Sequence, residues 1–161
     1  MNRLNVSAVL WAVAVLSFAA VGVAVFTQVQ FDWRPCPWCI LQRVLFVAIG
    51  ILSAAGALWK SRGPVKLLSA VSVLFALCGI ASALYQNLVA SKSSSCNLTF
   101  ADKVVTGLGV DKLLPSVFQV TGSCAEAAVS VLGVPYEFWS LLLFVVIGAA
   151  LIAVLRQPAR R

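Results

Sequence analysis

Four stretches of this 161-residue chain, approximately 6–28, 40–59, 67–89 and 138–155, are each apolar for close to twenty residues. A hydrocarbon core about 30 Å thick takes about 20 helical residues to cross, and inside it the backbone must satisfy its own hydrogen bonds. The expected fold is therefore an all-α membrane protein, a four-transmembrane-helix bundle. With 61% hydrophobic and 11% charged residues, against about 25% charged in ordinary soluble chains, a soluble domain is excluded. Residues 1–161 read as a single integral membrane domain whose outer loops, 29–39 and 90–137, must carry any chemistry. A signal-peptide reading of the first stretch is disfavoured, because its apolar core, 10–26, is too long and no A-x-A site stands between that core and the first cysteines.

The net charge of +7 is distributed by side rather than gathered into a nucleic-acid footprint, so no nucleic-acid partner is expected. Arg3, Lys60, Arg62, Lys66, Arg156, Arg160 and Arg161 share one side of a four-span arrangement. Arg34, Lys92, Lys103 and Lys112 lie on the other with all five acids, Asp32, Asp102, Asp111, Glu126 and Glu137. The positive-inside rule makes the first side, with both termini, cytoplasmic. It leaves Cys36, Cys39, Cys96 and Cys124 outside, where disulfides form and persist. Cys78 falls within the third span, where a lone cysteine is usually a small buried hydrophobe without a role.

The densest chemistry is F-D-W-R-P-C-P-W-C-I-L-Q-R, residues 31–43. The C-x-x-C spacing of Cys36 and Cys39 allows a small, strained and therefore reducible ring. Pro35 and Pro37 force an extended approach to the second helix. Cys39 is expected to open that helix, where free N–H groups favour a thiolate, and Arg34 and Arg43 flank the pair with positive charge. A structural disulfide or half of a zinc site are the competing readings. Arg43 follows Cys39 by four residues, on the same helix face and about 6 Å deeper at 1.5 Å per residue. It is the only charge within the four stretches as bounded above. It is either a snorkelling anchor or a donor to a polar ligand group, for which a quinone carbonyl is the obvious candidate at that depth. Tyr85 and Gln86, at the outer end of the third span, either border such a ligand or cap the interface.

The second outer loop begins with a serine run, Ser91 to Ser95, expected to be flexible, with Cys96 directly after it. Leu113, Leu114, Val117 and Phe118 recur at helical spacing and predict a short interfacial helix limited by Pro115. Gly122 predicts a turn before Cys124. Zinc is disfavoured because 27 residues separate Cys96 from Cys124 and the chain has no histidine. Structural bridges account for Cys96 and Cys124 but not for Arg43. A relay does account for it, passing electron pairs from a soluble dithiol to a lipid-soluble acceptor. A strongly oxidising protein near −120 mV cannot be regenerated by an ordinary disulfide below about −300 mV, which is uphill by about 8 kcal/mol, so a stronger acceptor must pull, and a membrane quinone can do so.

The motif C-P-W-C-I-L-Q-R at residues 36–43 resembles the bacterial disulfide bond formation protein B family, DsbB. P-S-V-F-Q-V-T-G-S-C-A-E at 115–126 and the approach from Gly133, Val134 and Pro135 to Trp139 support the resemblance, which covers nearly the whole chain. It implies an inner-membrane enzyme with periplasmic cysteine loops that reoxidises a DsbA-like thioredoxin-fold protein and delivers the electrons to ubiquinone or menaquinone in the lipid. By position it implies that Cys96 and Cys124 exchange with the partner, that Cys36 and Cys39 couple to quinone, and that Arg43 lies by the quinone. In two places the chain departs from relatives: it lacks a histidine at the outer end of the third helix, and Val129 stands where some have tryptophan. The alternative from another class is a non-enzymatic four-span scaffold with two structural disulfides.

Overall fold

The computed structural model describes residues 3–92 and 100–157. In chain order it contains α1 (Arg3–Phe31), α2 (Pro37–Leu58), α3 (Arg62–Leu88), three short helices α4 (Phe100–Leu108), α5 (Val110–Leu113) and α6 (Pro115–Phe118), a hairpin of β1 (Ser130–Val131) and β2 (Val134–Pro135), and α7 (Tyr136–Leu155). The helices α1, α2, α3 and α7 are long and apolar enough to cross a membrane. The four-span, all-α expectation holds.

Each boundary has a local cause. Asp32 ends α1 in a left-handed conformation, φ 51, which a short polar side chain tolerates better than most. Pro37 occupies the first turn of α2, where its missing N–H costs nothing and its fixed φ is already helical. Helix α3 starts at Arg62, so Gly63 and Pro64 lie in its first turn and the reversal after α2 is shorter than the expected loop 60–66. At the other end of the chain α7 starts at Tyr136, two residues before the expected span, and takes Glu137 into the bundle.

The helices pack in the order α1, α2, α3, α7, with α1 and α7 meeting over a much shorter stretch than the other neighbours. One end of the bundle carries the cysteines; the other carries Lys60, Arg62, Lys66 and Arg156. Between α3 and α7 the fit is tight: a Cβ on Gly79 would lie 2.4 Å from the Phe144 ring, and that ring stacks on Phe46 at 4.0 Å. Ser69, Ser72, Ala76, Gly79 and Ala83, all buried, continue this small-residue seam along α3. Helix association in lipid depends on such close contact, because burial from hydrocarbon gains little. Cys78 corrects the expectation of burial: it is exposed on α3.

The outer loop is more ordered than its sequence suggests. The nine-residue α4 was not expected; it buries Ala101 and Val105 and packs on α2. The expected short helix is divided by Pro115 into the single turns α5 and α6. Leu132 and Gly133, φ 55 and 79, form the two-residue hairpin turn, which requires positive φ at both positions. Ser93 to Ser95 and Cys96 lie outside the described residues.

Candidate thiol and cavity site

The first loop and α2 position two sulfurs. Cys36 is the N-cap of α2, its Sγ accepting from the Cys39 backbone N–H at 3.4 Å. Cys39 thus stands in the first turn, at the third helical residue rather than the first. The two Sγ atoms are 3.0 Å apart, in contact without a bond.

The second loop brings a third sulfur. The backbone N–H groups of Thr121 and Gly122 both donate to the Pro35 carbonyl, at 3.1 and 3.2 Å. A Cβ on Gly122 would lie 2.7 Å from the Cβ of Arg34, so glycine is what lets the two loops approach. Beyond the contact, Ser123 and Glu126 form a capping box around the Cys124 turn: Glu126 Oε2 accepts from the Ser123 N–H at 2.8 Å and from its Oγ at 2.9 Å. Those bonds hold the Glu126 carboxyl below the usual carboxylate range.

Cys36 and Cys124 are both buried, and their acidities diverge. Cys36 is pushed up, first by its hydrogen bond to the Cys124 sulfur, then by that to Cys39 and by burial. Cys124 is pulled down, first by the bond from Cys36 and also by the Trp38 backbone N–H, with burial opposing. One hydrogen-bonded group at a helix N-terminus therefore favours a thiol at Cys36 and a thiolate at Cys124.

Below the sulfurs a chain of polar side chains joins three helices. Gln86 Nε2 donates to Cys39 Sγ at 3.3 Å, and Gln42 Nε2 donates to Gln86 Oε1 at 2.8 Å. The Ser140 hydroxyl lies 2.6 Å from Gln42 Oε1 and 2.9 Å from the Glu137 backbone carbonyl. Arg43, 7% exposed, donates through Nη1 to Gln28 Oε1 and the Val117 carbonyl, both at 2.7 Å, and through Nη2 to the Ala24 carbonyl at 3.2 Å. It ties α1, α2 and α6 together instead of snorkelling. Three of its five N–H hydrogens are used among the described residues, so two remain.

Cys39, Gln42, Arg43, Gln86 and Glu137 all line one cavity of about 690 Å³ whose other walls are largely apolar residues of α1, the hairpin and α7. The structure thus brings Cys36, Cys39, Cys124 and Arg43 to one place, while Cys96 lies outside the described residues. Gln86 borders the cavity, whereas Tyr85 is exposed and packs on Trp38 at 4.7 Å. The sequence alone assigns no role to Gln42, Ser140 or Glu137; a second polar residue beside Arg43 within a span is the available signal for Gln42.

A family model described as "Disulfide bond formation protein DsbB" matches residues 6–154. The chain belongs to the DsbB family. Disulfide bond formation protein B of Pseudomonas syringae pv. tomato is 34% identical over 149 residues, 89% of this chain and 88% of that protein. The proteins of the same name from Cupriavidus necator and Ralstonia nicotianae are 33% and 35% identical, covering 90% and 92% of this chain and 90% and 93% of their own lengths. No solved structure matches. This DsbB-family chain is a multi-pass membrane thiol oxidase, and a scaffold with purely structural disulfides is not favoured.

Proposed function

We propose that this protein is an inner-membrane thiol:quinone oxidoreductase that reoxidises a periplasmic DsbA-like protein and reduces ubiquinone or menaquinone. Both termini would be cytoplasmic and the cysteine loops periplasmic, as the basic residues at the opposite end of the bundle suggest. The observation that carries the reading is Cys39: it lines the apolar cavity with Arg43 and, on its other side, touches Cys36, whose thiol lies beside that of Cys124. The residues present fit a quinone. The cavity is within the size range of small-molecule sites and is mainly apolar, and Arg43 retains N–H groups for a carbonyl oxygen. A bound quinone supplies the oxidising pull, taking up two electrons and two protons.

The chain's own residues supply the rest. A partner thiolate attacks Cys96 of a Cys96–Cys124 disulfide, forming the mixed disulfide and releasing Cys124 as a thiolate. The partner's second thiol then displaces Cys96 and leaves the partner oxidised. Cys124 attacks Cys36 of a Cys36–Cys39 disulfide, which releases Cys39 as a thiolate towards the cavity. The lowered Cys124 and raised Cys36 support this direction of attack. Cys96 then attacks Cys124 of the Cys36–Cys124 disulfide, restoring Cys96–Cys124 and releasing Cys36. Cys36 and Cys39 re-form their own disulfide as two electrons and two protons pass to the acceptor; overall the partner dithiol loses both and the acceptor gains both. Purified protein in lipid vesicles, given a reduced DsbA-like protein and a soluble quinone, should consume both in equal amounts; oxidation of the partner without quinone loss would overturn the proposal. Trapping with only the partner's second cysteine removed, so that its thiolate opens the Cys96–Cys124 disulfide and the adduct is not resolved by the partner, should locate the mixed disulfide on Cys96.

A further inference from the structure

The cavity contains one carboxyl group that the relay leaves unused. Glu137 sits in the first turn of α7, is 4% exposed, and lines the same wall as Cys39 and Arg43. Its Oε1 accepts from Asn87 Nδ2 at 2.8 Å, while its buried Oε2 has no partner among the described residues. Burying a carboxyl in apolar surroundings with a single neutral donor is costly, and in a membrane span such groups usually mark a path for protons or ions. Arg43 does not compensate it, since its three recorded bonds go to Gln28, Val117 and Ala24. The other titratable or charged side chains of the cavity wall are Cys39 and Arg43 from α2 and Tyr136 beside Glu137; α1 and α3 contribute none.

Quinone reduction needs protons where electrons arrive, yet the partner's dithiol releases its protons in the outer loops, and the cavity walls between are mostly apolar. We infer that Glu137 is the proton carrier of the cavity, giving its carboxyl proton to a ligand oxygen as the electron pair leaves Cys39. This rests on the quinone reading above. The carboxylate formed is held by the Asn87 amide and by the N–H groups opening α7. It regains one of the two protons released by the thiols, passes it on in the same way and is recharged by the other, so two protons accompany the two electrons and Glu137 ends each cycle unchanged. Asn87 acts as a positioning residue, aiming the free oxygen.

The test compares wild type, Glu137→Gln and Glu137→Asp, reconstituted in lipid vesicles. Quinone binding, read by quenching of Trp33 and Trp139 in the cavity wall, and quinone-free thiol exchange with the partner should change less than twofold in Glu137→Gln. Single-turnover reduction of bound quinone should slow by about 10²-fold, the lower range for loss of a positioned acid, with a larger solvent deuterium isotope effect and partial recovery in Glu137→Asp. Should the glutamine variant not fold, wild type labelled with ¹³C at glutamate carboxyls gives an independent readout. Only two glutamates are present, and Glu126 is exposed and held ionised, so a labelled carboxylic-acid band that shifts on quinone reduction reports Glu137. Unchanged reduction in Glu137→Gln, or a labelled band that stays still, overturns the inference; so does joint loss of binding and thiol exchange, which would make Glu137 structural. Failure of wild type itself to reduce quinone would instead remove the functional reading beneath it.

Discussion

At the cysteine end of the bundle the buried side chains Gln42 and Gln86 are bonded to each other, Gln86 also to Cys39, and Arg43 to Gln28 and backbone carbonyls, with Trp38 Nε1 and Glu137 Oε2 left without a partner there among the described residues. From the middle of the bundle towards the basic end, Ser17, Ser53 and Ser69 are buried with no partner among the described residues. The difference is one of purpose. A serine is small enough to serve as a packing residue, and its hydroxyl is tolerated for the close helix approach it allows. An amide or a guanidinium inside a span costs far more unless bonded, and nothing about packing calls for it there. The basic half is built for close packing; the cysteine half holds polar side chains that packing alone does not call for.

That contrast breaks most sharply at the sulfurs. Replacement of Cys36, Cys39, Cys96 or Cys124 by serine should bring sustained oxidation of the partner to background while leaving the thermal midpoint of the bundle nearly unmoved; Cys78→Ser should alter neither. Full turnover by Cys39→Ser would end the relay. Next comes Gly122→Ala, whose added carbon meets Arg34 and should push Cys124 away from Cys36. A misplacement of about 1 Å can cost about 10²-fold, so rapid-quench alkylation should show Cys124-to-Cys36 exchange slowed by about that factor.

Mid-bundle the signs reverse. Gly79→Ala drives a carbon into the Phe144 ring and should destabilise the fold by about 1–3 kcal/mol, the usual range for overpacking. Turnover per folded molecule should hold, as thermal unfolding beside an activity assay would show. The smallest effect is expected at Glu126. Its folded-state acidity is depressed by the Ser123 bonds, so the stabilisation is fully present above the ordinary glutamate value of about 4.3 and is lost as pH falls through the lower folded value. Hydrogen exchange of the amides near Cys124 should accelerate over that acidic interval alone, and Glu126→Gln should abolish the pH dependence.

Much of this was legible in the chain. The four spans are visible because apolar length alone encodes them, and the C-x-x-C motif and Arg43 are visible because their neighbours in space are also neighbours in sequence. Gln42 and Gln86 are 44 residues apart, and nothing local announces that they meet. Glu137 looks like an ordinary acid preceding a helix, and only the earlier start of α7 buries it. Cys78 was misjudged because the rule that cysteine hides is learned from proteins in water, whereas in hydrocarbon a small apolar side chain faces outward without cost. The helix α4 is short, and its burial depends on α2 lying beneath it.

The short contact between α1 and α7 has a consequence for measurement. Both helices wall the cavity, so in a bilayer an opening where they part would face the acyl chains, and the proposed quinone would arrive from a two-dimensional solvent by lateral diffusion. An apparent KM given in moles per litre of buffer would then drift as lipid is added at constant ligand, through dilution in the bilayer. Expressed as mole fraction of the lipid, it should stay constant.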